Sequence, residues 1–311
     1  MITWKTLKKY LPVIGILLFM YILVKLNISS VILSVANANI HYLLISVFLV
    51  IILFFPQTFK WWIIARKQNI NIGFWESFKI NIITNYYGFI TPSKIGTVSR
   101  AGYLKEKAGG LGKGFSNFVM DKVLDLSSLF FLAIIFSFIF RERFDFLNIG
   151  YLVILFVLFV FVCFSLLNKN ISKCFLKIIY RKLLPRKMKK GAKLVFENFY
   201  KDMPCYSFLF LAFLVNIATW ILIYLISYFI GMSLGINLSF IYFLAIIPLS
   251  TIIAQIPITI SGLGTREATM IGLFGLFGID AVKVFAMSLV AILITNIIPA
   301  IIAIFWTFNE K

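Results

Sequence analysis

The chain has 311 residues, of which 61% are hydrophobic and only 13% are charged, and its formal net charge is +19. This composition excludes an ordinary soluble globular domain. Apolar runs long enough to cross a bilayer recur, so the sequence predicts an all-α polytopic integral membrane protein with about seven or eight transmembrane helices. The single histidine and three scattered cysteines indicate neither a metal site nor a disulfide framework, and we expect no cofactor.

The basic residues lie mainly between the apolar runs, which argues for membrane topology and against nucleic-acid binding. Assigning loops by charge places 25 Lys and Arg residues in the cytoplasm and 4 outside. The protein is therefore predicted to be a multi-pass protein of the cytoplasmic membrane with both the N- and C-termini in the cytoplasm. The largest basic cluster, residues 168–206, is interpreted as a cytoplasmic segment with amphipathic helices.

Taken in chain order, the apolar runs predict spanning helices at about residues 11–26, 42–62, 115–140, 149–167, 207–230, 240–257 and 284–308. Residues 74–90 are too polar and too short for an ordinary span. They are interpreted as a re-entrant or broken helix, with an amphipathic surface helix as the alternative. Residues 267–277 form a predicted helix of about half a bilayer thickness.

Two short polar segments, here called the Gly-Thr loops, interrupt this hydrophobic sequence at residues 91–100 and 260–267. Each loop contains an aliphatic residue, then Gly-Thr, then an arginine: Ile95-Gly96-Thr97 with Arg100, and Leu263-Gly264-Thr265-Arg266. Paired breaks in the two halves of a chain indicate a transporter's central site. We therefore expect one transmembrane domain, 1–311, made of pseudo-repeats at about 1–167 and 207–311 that residues 168–206 join.

Each Gly-Thr loop is expected to open onto a helix N-terminus, where free N–H groups favour an anion. Arg100 and Arg266 add forked donors suited to a phosphate. The charge-based topology places both loops near the cytoplasmic face. The alternative is a simple helix break whose arginine reaches the interface. Lys94, Gln255 and Glu267 are further candidates to line the same site.

Three charged residues, Asp121, Lys122 and Asp125, fall within the predicted helix at 115–140. Asp121 and Asp125 lie on one helix face and repel each other unless a cation lies nearby. Lys122, Arg100 and Arg266 are the candidate cations. Such a group lines a polar cavity or forms a structural ion pair, and both interpretations stay open. The sequence contains no recognisable nucleotide-binding or hydrolase motif.

Several blocks of the sequence resemble the flippase-like transmembrane domain of lysylphosphatidylglycerol synthases. The matching blocks are Pro92-Ser93-Lys94-Ile95-Gly96-Thr97, Arg100-Ala101-Gly102-Tyr103-Leu104, Met120–Leu126 and Gly262–Ala268. The resemblance covers about residues 10–308. Thr97 and Ser93 depart from the family's usual Glu and Gly, and Lys122 replaces its usual Arg.

The resemblance implies binding and translocation of an anionic phospholipid or a polyprenyl-phosphate-linked headgroup. The synthases also carry a soluble aminoacyl-transfer domain, which we expect to be absent from this protein. Two alternatives follow: a membrane subunit of a lipid-linked glycosyl or aminoacyl transferase system, or a lipid-binding subunit without transport. A homo-oligomer or a separate transferase partner is compatible with each.

Overall fold

A computed structural model describes residues 16–91, 95–139, 204–255, 259 and 262–308, together with scattered positions between 150 and 201. Outside those scattered positions, the helices in chain order are α1 (Ile16–Lys25), α2 (Ile28–Ala36), α3 (Ile40–Lys67), α4 (Phe74–Phe89), α5 (Ser99–Tyr103), α6 (Leu111–Ile139), α7 (Tyr206–Ser233), α8 (Phe240–Gln255), α9 (Thr265–Gly275), α10 (Ala281–Ile292) and α11 (Ile298–Phe308). Short 3₁₀ and π segments, Ile95–Val98 and Leu293–Ile297, precede α5 and α11. The described elements are all helical, as the composition predicts.

Three helical stretches are long and apolar enough to cross a membrane: Ile40–Lys67, Ser207–Ser233 and Ala281–Trp306. A fourth span results if the bent pair α1 and α2 is counted as one. Together with the shorter apolar α8 and the long α6, these confirm a polytopic integral membrane protein. The predicted helix at 149–167 is described only at scattered positions, which are helical, while most of the predicted segment 168–206 and both chain ends lie outside the described residues.

The region between the predicted helices at 11–26 and 42–62 contains a helix that the sequence did not predict. Residues 28–36 form α2, which meets α1 at a bend of 81°. Asn27 lies between the two helices with φ 62°, and its side chain accepts a hydrogen bond from the Ser29 N–H. This cap satisfies an N–H group at the start of α2 and allows the chain to change direction without a glycine.

Helices α3 and α7 form the central antiparallel pair, and each has 28 residues. At one end the Asn39 N–H donates to the Ser233 carbonyl at 2.8 Å. At the other end the Lys67 ammonium lies 3.8 Å from the centre of the Phe208 ring. The positions of the other helices are described below relative to the two ends of this α3–α7 pair.

The first hairpin consists of α4 and the returning segment through α5, and it begins where α3 ends. Along its length Arg100 donates to Asn81, and Lys107 forms an ion pair with Glu76 near the start of α4. Near the tip, Gly96 packs against the backbone of Tyr87. Residues 74–107 therefore leave and return at the same end of α3, which agrees with the re-entrant interpretation and disfavours a surface helix.

The second hairpin consists of α8 and α9, and it begins where α7 ends. The Phe243 and Phe274 rings lie 5.1 Å apart, and the Tyr242 and Phe277 rings lie 4.8 Å apart. At the tip Gly262 lies against Ala254. The predicted half-bilayer helix at 267–277 corresponds to α9, whose 11 residues span about 16 Å.

The two hairpins open at opposite ends of the α3–α7 pair, because each follows a different member of an antiparallel pair. Arg100 lies near Trp61 on α3, while Arg266 contacts Ser288 on α10, whose neighbour Met287 packs near Gly231 at the end of α7. The expectation that both Gly-Thr loops approach the same face is therefore wrong. Loop charge alone cannot tell a basic side chain in a buried hairpin from one at the surface.

Candidate functional site

Arg100, from the first Gly-Thr loop, lies in a buried network and is only 3% exposed. Its Nη1 donates to Asp121 Oδ2 at 2.7 Å and its Nη2 donates to Asn81 Oδ1 at 3.2 Å. The guanidinium carbon lies 4.7 Å from the centre of the Trp61 ring, in cation–π geometry. Among the described residues, the buried Nε of Arg100 has no hydrogen-bond acceptor.

Lys60 is the residue that sequence reasoning missed, because it was counted among the cytoplasmic bases. Its ammonium lies 2.8 Å from Asp121 Oδ1, forms an ion pair with Asp125, and donates to Asn216 Oδ1 at 2.9 Å. Lys60 is buried within α3, seven residues before the helix ends. A lysine inside a long apolar helix could have indicated an intramembrane charge.

Asp125 lies on the more open side of this group, with its side chain 24% exposed. Lys122 approaches it at 3.3 Å, and α7 holds its backbone through a hydrogen bond from Trp220 Nε1 to the Asp125 carbonyl. The five charged residues Lys60, Arg100, Asp121, Lys122 and Asp125 are here called the Lys60 cluster. Of the predicted cations, Arg100 and Lys122 belong to it and Arg266 does not.

Arg266 and Glu267 at the start of α9, together with Ser288, form a second group, here called the Arg266 cluster. Glu267 is fully buried, and its Oε2 accepts the Gly264 N–H at 2.6 Å. Its Oε1 accepts from Arg266 Nε at 3.2 Å, from Arg266 Nη2 at 3.0 Å and from the Ser288 hydroxyl at 2.6 Å. A carboxylate of the chain itself thus occupies the anion position expected at this helix N-terminus.

The Arg266 guanidinium has one side available. Its Nη2 also lies 2.8 Å from Ser288 Oγ, and its side chain is 24% exposed. Among the described residues, Nη1 of Arg266 has no hydrogen-bond partner. The Arg266 cluster therefore presents the Nη1 group, with two N–H donors, beside the Glu267 carboxylate that is ion-paired with Arg266.

The glycines of the Gly-Thr loops are required by geometry. Gly262 and Gly264 have φ of 79° and 82°, in the left-handed region that favours glycine. At Gly96, a Cβ atom would overlap the Tyr87 carbonyl oxygen, and the Gly96 N–H donates to Thr91 Oγ1 at 2.7 Å. Both loops therefore fold back tightly on the helix that precedes them.

The remaining predicted site residues belong to neither of the two charged clusters. Thr97 is a buried residue of the first loop, while the Thr265 hydroxyl pairs with Thr259 at 3.2 Å and donates to the Gly262 carbonyl. Gln255 is half-buried at the end of α8. Lys94 lies outside the described residues. Their predicted role in binding a substrate stays a prediction, as does that of the arginines and acidic residues. Within the described ranges, no group of three His, Cys, Asp or Glu residues converges as a metal site would require.

The fold and these clusters define an all-α integral membrane protein with charged groups inside paired hairpins. The chain belongs to the family described as the lysylphosphatidylglycerol synthase TM region, whose profile matches residues 11–303. This confirms the resemblance that the sequence motifs indicated.

Curated relatives in archaea match most of the chain. UPF0104 membrane protein PH1989 of Pyrococcus horikoshii is 23% identical over 95% of both chains. From Methanocaldococcus jannaschii, UPF0104 membrane protein MJ1595 is 25% identical over 94% of this chain and 91% of its own. UPF0104 membrane protein MJ1078 of the same organism is 30% identical over 66% of this chain and 86% of its own. These names describe membrane proteins and assign no activity.

Proposed function

We propose that this protein binds the anionic headgroup of a phospholipid or a polyprenyl-phosphate-linked lipid and translocates it across the cytoplasmic membrane. One observation carries the proposal: two re-entrant hairpins enter from opposite ends of the α3–α7 pair, and each holds an arginine along its length. Transporters commonly bind their substrates near the midplane between such broken helices, and they expose the site to each side in turn.

Arg266 is the residue to which we assign the first contact with the phosphate. Its partial exposure and its free Nη1 group suit a phosphate oxygen, while Glu267 fixes the guanidinium plane through Nε and Nη2. Arg100 is buried and already donates to Asp121 and Asn81, so it contributes positive potential. Glu267, Asp121 and Asp125 set the local charge around the two arginines.

The hairpins also support a proposal for the two pseudo-repeats. Helices α3 and α7 have 28 residues each, α4 and α8 have 16 residues each, and both pairs start 166 positions apart. Arg100 and Arg266 are separated by the same 166 positions. Because α3 and α7 are antiparallel, the two halves would be related by an axis parallel to the membrane plane, as in inverted repeats.

For the orientation we propose that the open end of the first hairpin faces the cytoplasm, with both termini on that side. The bases near this end include Arg66, Lys67, Lys105, Lys107 and Lys113. Removing the buried or membrane-embedded Lys60, Arg100 and Arg266 from the 25 cytoplasmic bases leaves 22 against 4 outside, so the charge asymmetry still supports this orientation.

A second candidate is a membrane subunit that presents a lipid to a separate transferase, or holds one without moving it. The family description favours it, because it names the membrane region of a synthase. Co-purification with a soluble transferase, with no lipid movement by the isolated protein, would support this candidate over translocation.

Lipid movement by the purified full chain tests the proposal. Phosphatidylcholine vesicles would carry a trace of phosphatidylglycerol labelled on its acyl chain, and dithionite would quench the label in the outer leaflet. We expect protein-dependent loss of the protected fraction, slowed about tenfold or more in Arg266→Gln by loss of a charge-assisted hydrogen bond. Lys107→Gln removes an exposed basic charge outside the site and serves as the matched control.

Two results would contradict the proposal. The first is the absence of movement by the wild-type protein in vesicles that contain it in folded form. The second is wild-type movement by Arg266→Gln. An intermediate rate for Arg266→Lys would show that the forked geometry matters in addition to the charge.

A further inference from the structure

Six aromatic side chains form a patch on the outside of the protein, where α3 ends and α4 begins. They are Phe55, Phe59, Trp62, Phe74, Trp75 and Phe78, here called the Trp75 patch, and the centres of neighbouring rings lie between 5.2 and 6.3 Å apart. Trp75 is 70% exposed, more than any other large hydrophobic side chain in the described ranges. Phe55 and Phe59 are exposed as well, so the patch needs a partner outside the chain.

The residue types of the Trp75 patch indicate at which level of the bilayer that partner lies. An indole ring combines a large apolar body with one polar N–H group, which suits neither bulk water nor pure hydrocarbon. Tryptophan therefore collects where the acyl chains meet the headgroups. The Trp62 N–H donates to the Ile72 carbonyl at 3.0 Å, which fixes that indole against Phe74, and the neighbouring Trp75 faces outward.

A second aromatic group lies at the opposite end of the α3–α7 pair. Tyr42, near the start of α3, stacks on Phe229 of α7 with ring centres 6.2 Å apart. Tyr228 contacts Phe229 at 5.4 Å and Phe240 at 5.5 Å. These four rings, here called the Tyr42 band, lie where α3 begins, α7 ends and α8 begins.

The separation of the two aromatic groups equals the thickness of a bilayer's hydrocarbon core. Tyr42 and Trp62 are 20 residues apart on α3 (62 − 42), which is about 30 Å along a helix axis. Helix α7 gives the same length, because Phe208, beside Lys67, and Tyr228 are also 20 residues apart (228 − 208). The hydrocarbon core is about 30 Å thick, so one aromatic group fits each interface.

Positive charge lies next to the Trp75 patch. Arg66 and Lys67 are exposed at the end of α3, four and five residues after Trp62. The nearby Glu76 carboxylate is ion-paired with Lys107 and therefore opposes them little. Exposed bases at this level attract the anionic headgroups of a leaflet.

We propose that the Trp75 patch lies in the headgroup–glycerol region of the leaflet at the open end of the first hairpin, and that it binds anionic phospholipids there. The Tyr42 band lies at the opposite interface. This position in the bilayer is independent of lipid transport.

The same position sets the depth of the Lys60 cluster. Lys60 is two residues before Trp62, about 3 Å along the helix axis, and Asn81, which binds Arg100, is six residues after Trp75, about 9 Å. The cluster therefore lies towards one leaflet, at the edge of the hydrocarbon core. Charged side chains cost less there than at the bilayer centre.

Fluorescence quenching in nanodiscs tests the depth of Trp75. The full-length protein is reconstituted in phosphatidylcholine that carries bromine either near the headgroup end or near the terminal end of its acyl chains. The Trp75 signal is the difference between the wild type and Trp75→Phe. We expect the shallow bromines to quench this signal about twice as strongly as the deep ones, or more, because an interfacial indole lies beside them.

Ile51→Trp in the Trp75→Phe background is the matched control for depth. Ile51 is exposed on the same helix, eleven residues before Trp62, which is about 16 Å towards the bilayer centre. The deep bromines should quench the added indole more strongly than the shallow ones. This reversal would show that the method resolves the two levels in this protein.

The headgroup preference is measured with shallow-brominated phosphatidylglycerol and phosphatidylcholine at the same mole fraction. At low salt we expect phosphatidylglycerol to quench Trp75 about twofold more strongly, with the excess falling at high salt. Replacing both bases, Arg66→Gln with Lys67→Gln, should remove the excess and keep the depth profile. Lys283→Gln removes a base at the opposite end, beside Gly235, and should keep the excess.

The outcomes are distinct. Quenching of Trp75 that is no stronger from shallow than from deep bromines overturns the proposed position. Quenching by acrylamide but by neither brominated lipid overturns it too, since the patch would then face water or a protein partner. Equal quenching by the two headgroups at low salt, or an excess that survives loss of both bases, overturns the anionic preference. Absence of lipid movement by the same protein would reject the proposed function alone.

Discussion

The two arginines of the Gly-Thr loops occupy similar positions in the fold and very different electrostatic environments. Arg100 is held by the carboxylate of Asp121, which comes from the following helix, α6. Arg266 is held by Glu267, its neighbour in sequence, and the corresponding contact from the following helix is the hydroxyl of Ser288. The spacings match closely, since the arginines are 166 positions apart and Asp121 and Ser288 are 167 apart.

The two Gly-Thr loops are therefore held by the chain in two different ways. In the first hairpin a carboxylate from the following helix ties Arg100 to Lys60 as well, and among the described residues the buried Nε of Arg100 has no acceptor. In the second hairpin a local carboxylate holds only one edge of Arg266, and the other edge stays available. The first hairpin is therefore tied to its neighbours by charge pairing between helices, and in the proposed function the second keeps a donor for a ligand.

The largest effect is expected from Asp121→Ala, which leaves Lys60 and Arg100 without their shared carboxylate. Removing one partner of a buried ion pair lowers the free energy of unfolding by about 3–5 kcal/mol. Thermal unfolding of the purified protein in one detergent would measure the loss. Lys107→Ala breaks the exposed pair with Glu76 and should cost about 1 kcal/mol or less. Equal losses for the two variants would show that the buried network is not the stronger one.

A medium effect is expected from Gly96→Ala at the tip of the first hairpin. The added Cβ would overlap the Tyr87 carbonyl and lie 2.7 Å from Thr91 Oγ1, and a helix backbone cannot yield easily. Overpacking of this kind costs about 1–3 kcal/mol. Gly102→Ala in α5 is the matched control, because its Cβ would meet nothing within 4 Å. It should be neutral or stabilise by about 0.4–1 kcal/mol, and a destabilisation as large as that of Gly96→Ala would refute the packing argument.

The smallest effect is expected from Ser288→Ala, the counterpart of Asp121→Ala in the second hairpin. It removes two hydrogen bonds, the one that Ser288 donates to the Glu267 carboxylate and the one that it accepts from Arg266 Nη2, but it leaves the contacts of Glu267 with Arg266 and Gly264 in place. A loss of about 1.5 kcal/mol is expected, at the lower end for hydrogen bonds to charged groups, because Arg266 and Glu267 still pair with each other. If thermal unfolding showed that Ser288→Ala is as damaging as Asp121→Ala, the two hairpins would not differ in their dependence on long-range charge pairing.

Part of the site was predictable from local sequence. The pairing of Asp121 and Asp125 on one face of α6 follows from their spacing, and both Gly-Thr loops are visible as polar interruptions. Lys60 was hidden because Arg66 and Lys67 follow it, which makes the end of α3 resemble a charged loop. Its partners Asp121 and Asn216 are 61 and 156 positions away, and no local pattern encodes such contacts.

The sequence by itself determined that this is an all-α polytopic membrane protein, and its motifs determined the family, because hydropathy and short signatures are local properties of a chain. Tertiary structure alone decided that the two hairpins enter from opposite ends of α3 and α7. It also decided that Lys60 joins the buried charges while Arg266 keeps a free edge. Those features depend on which helices become antiparallel neighbours, and a charge inside the membrane takes its character from the partners that packing brings to it.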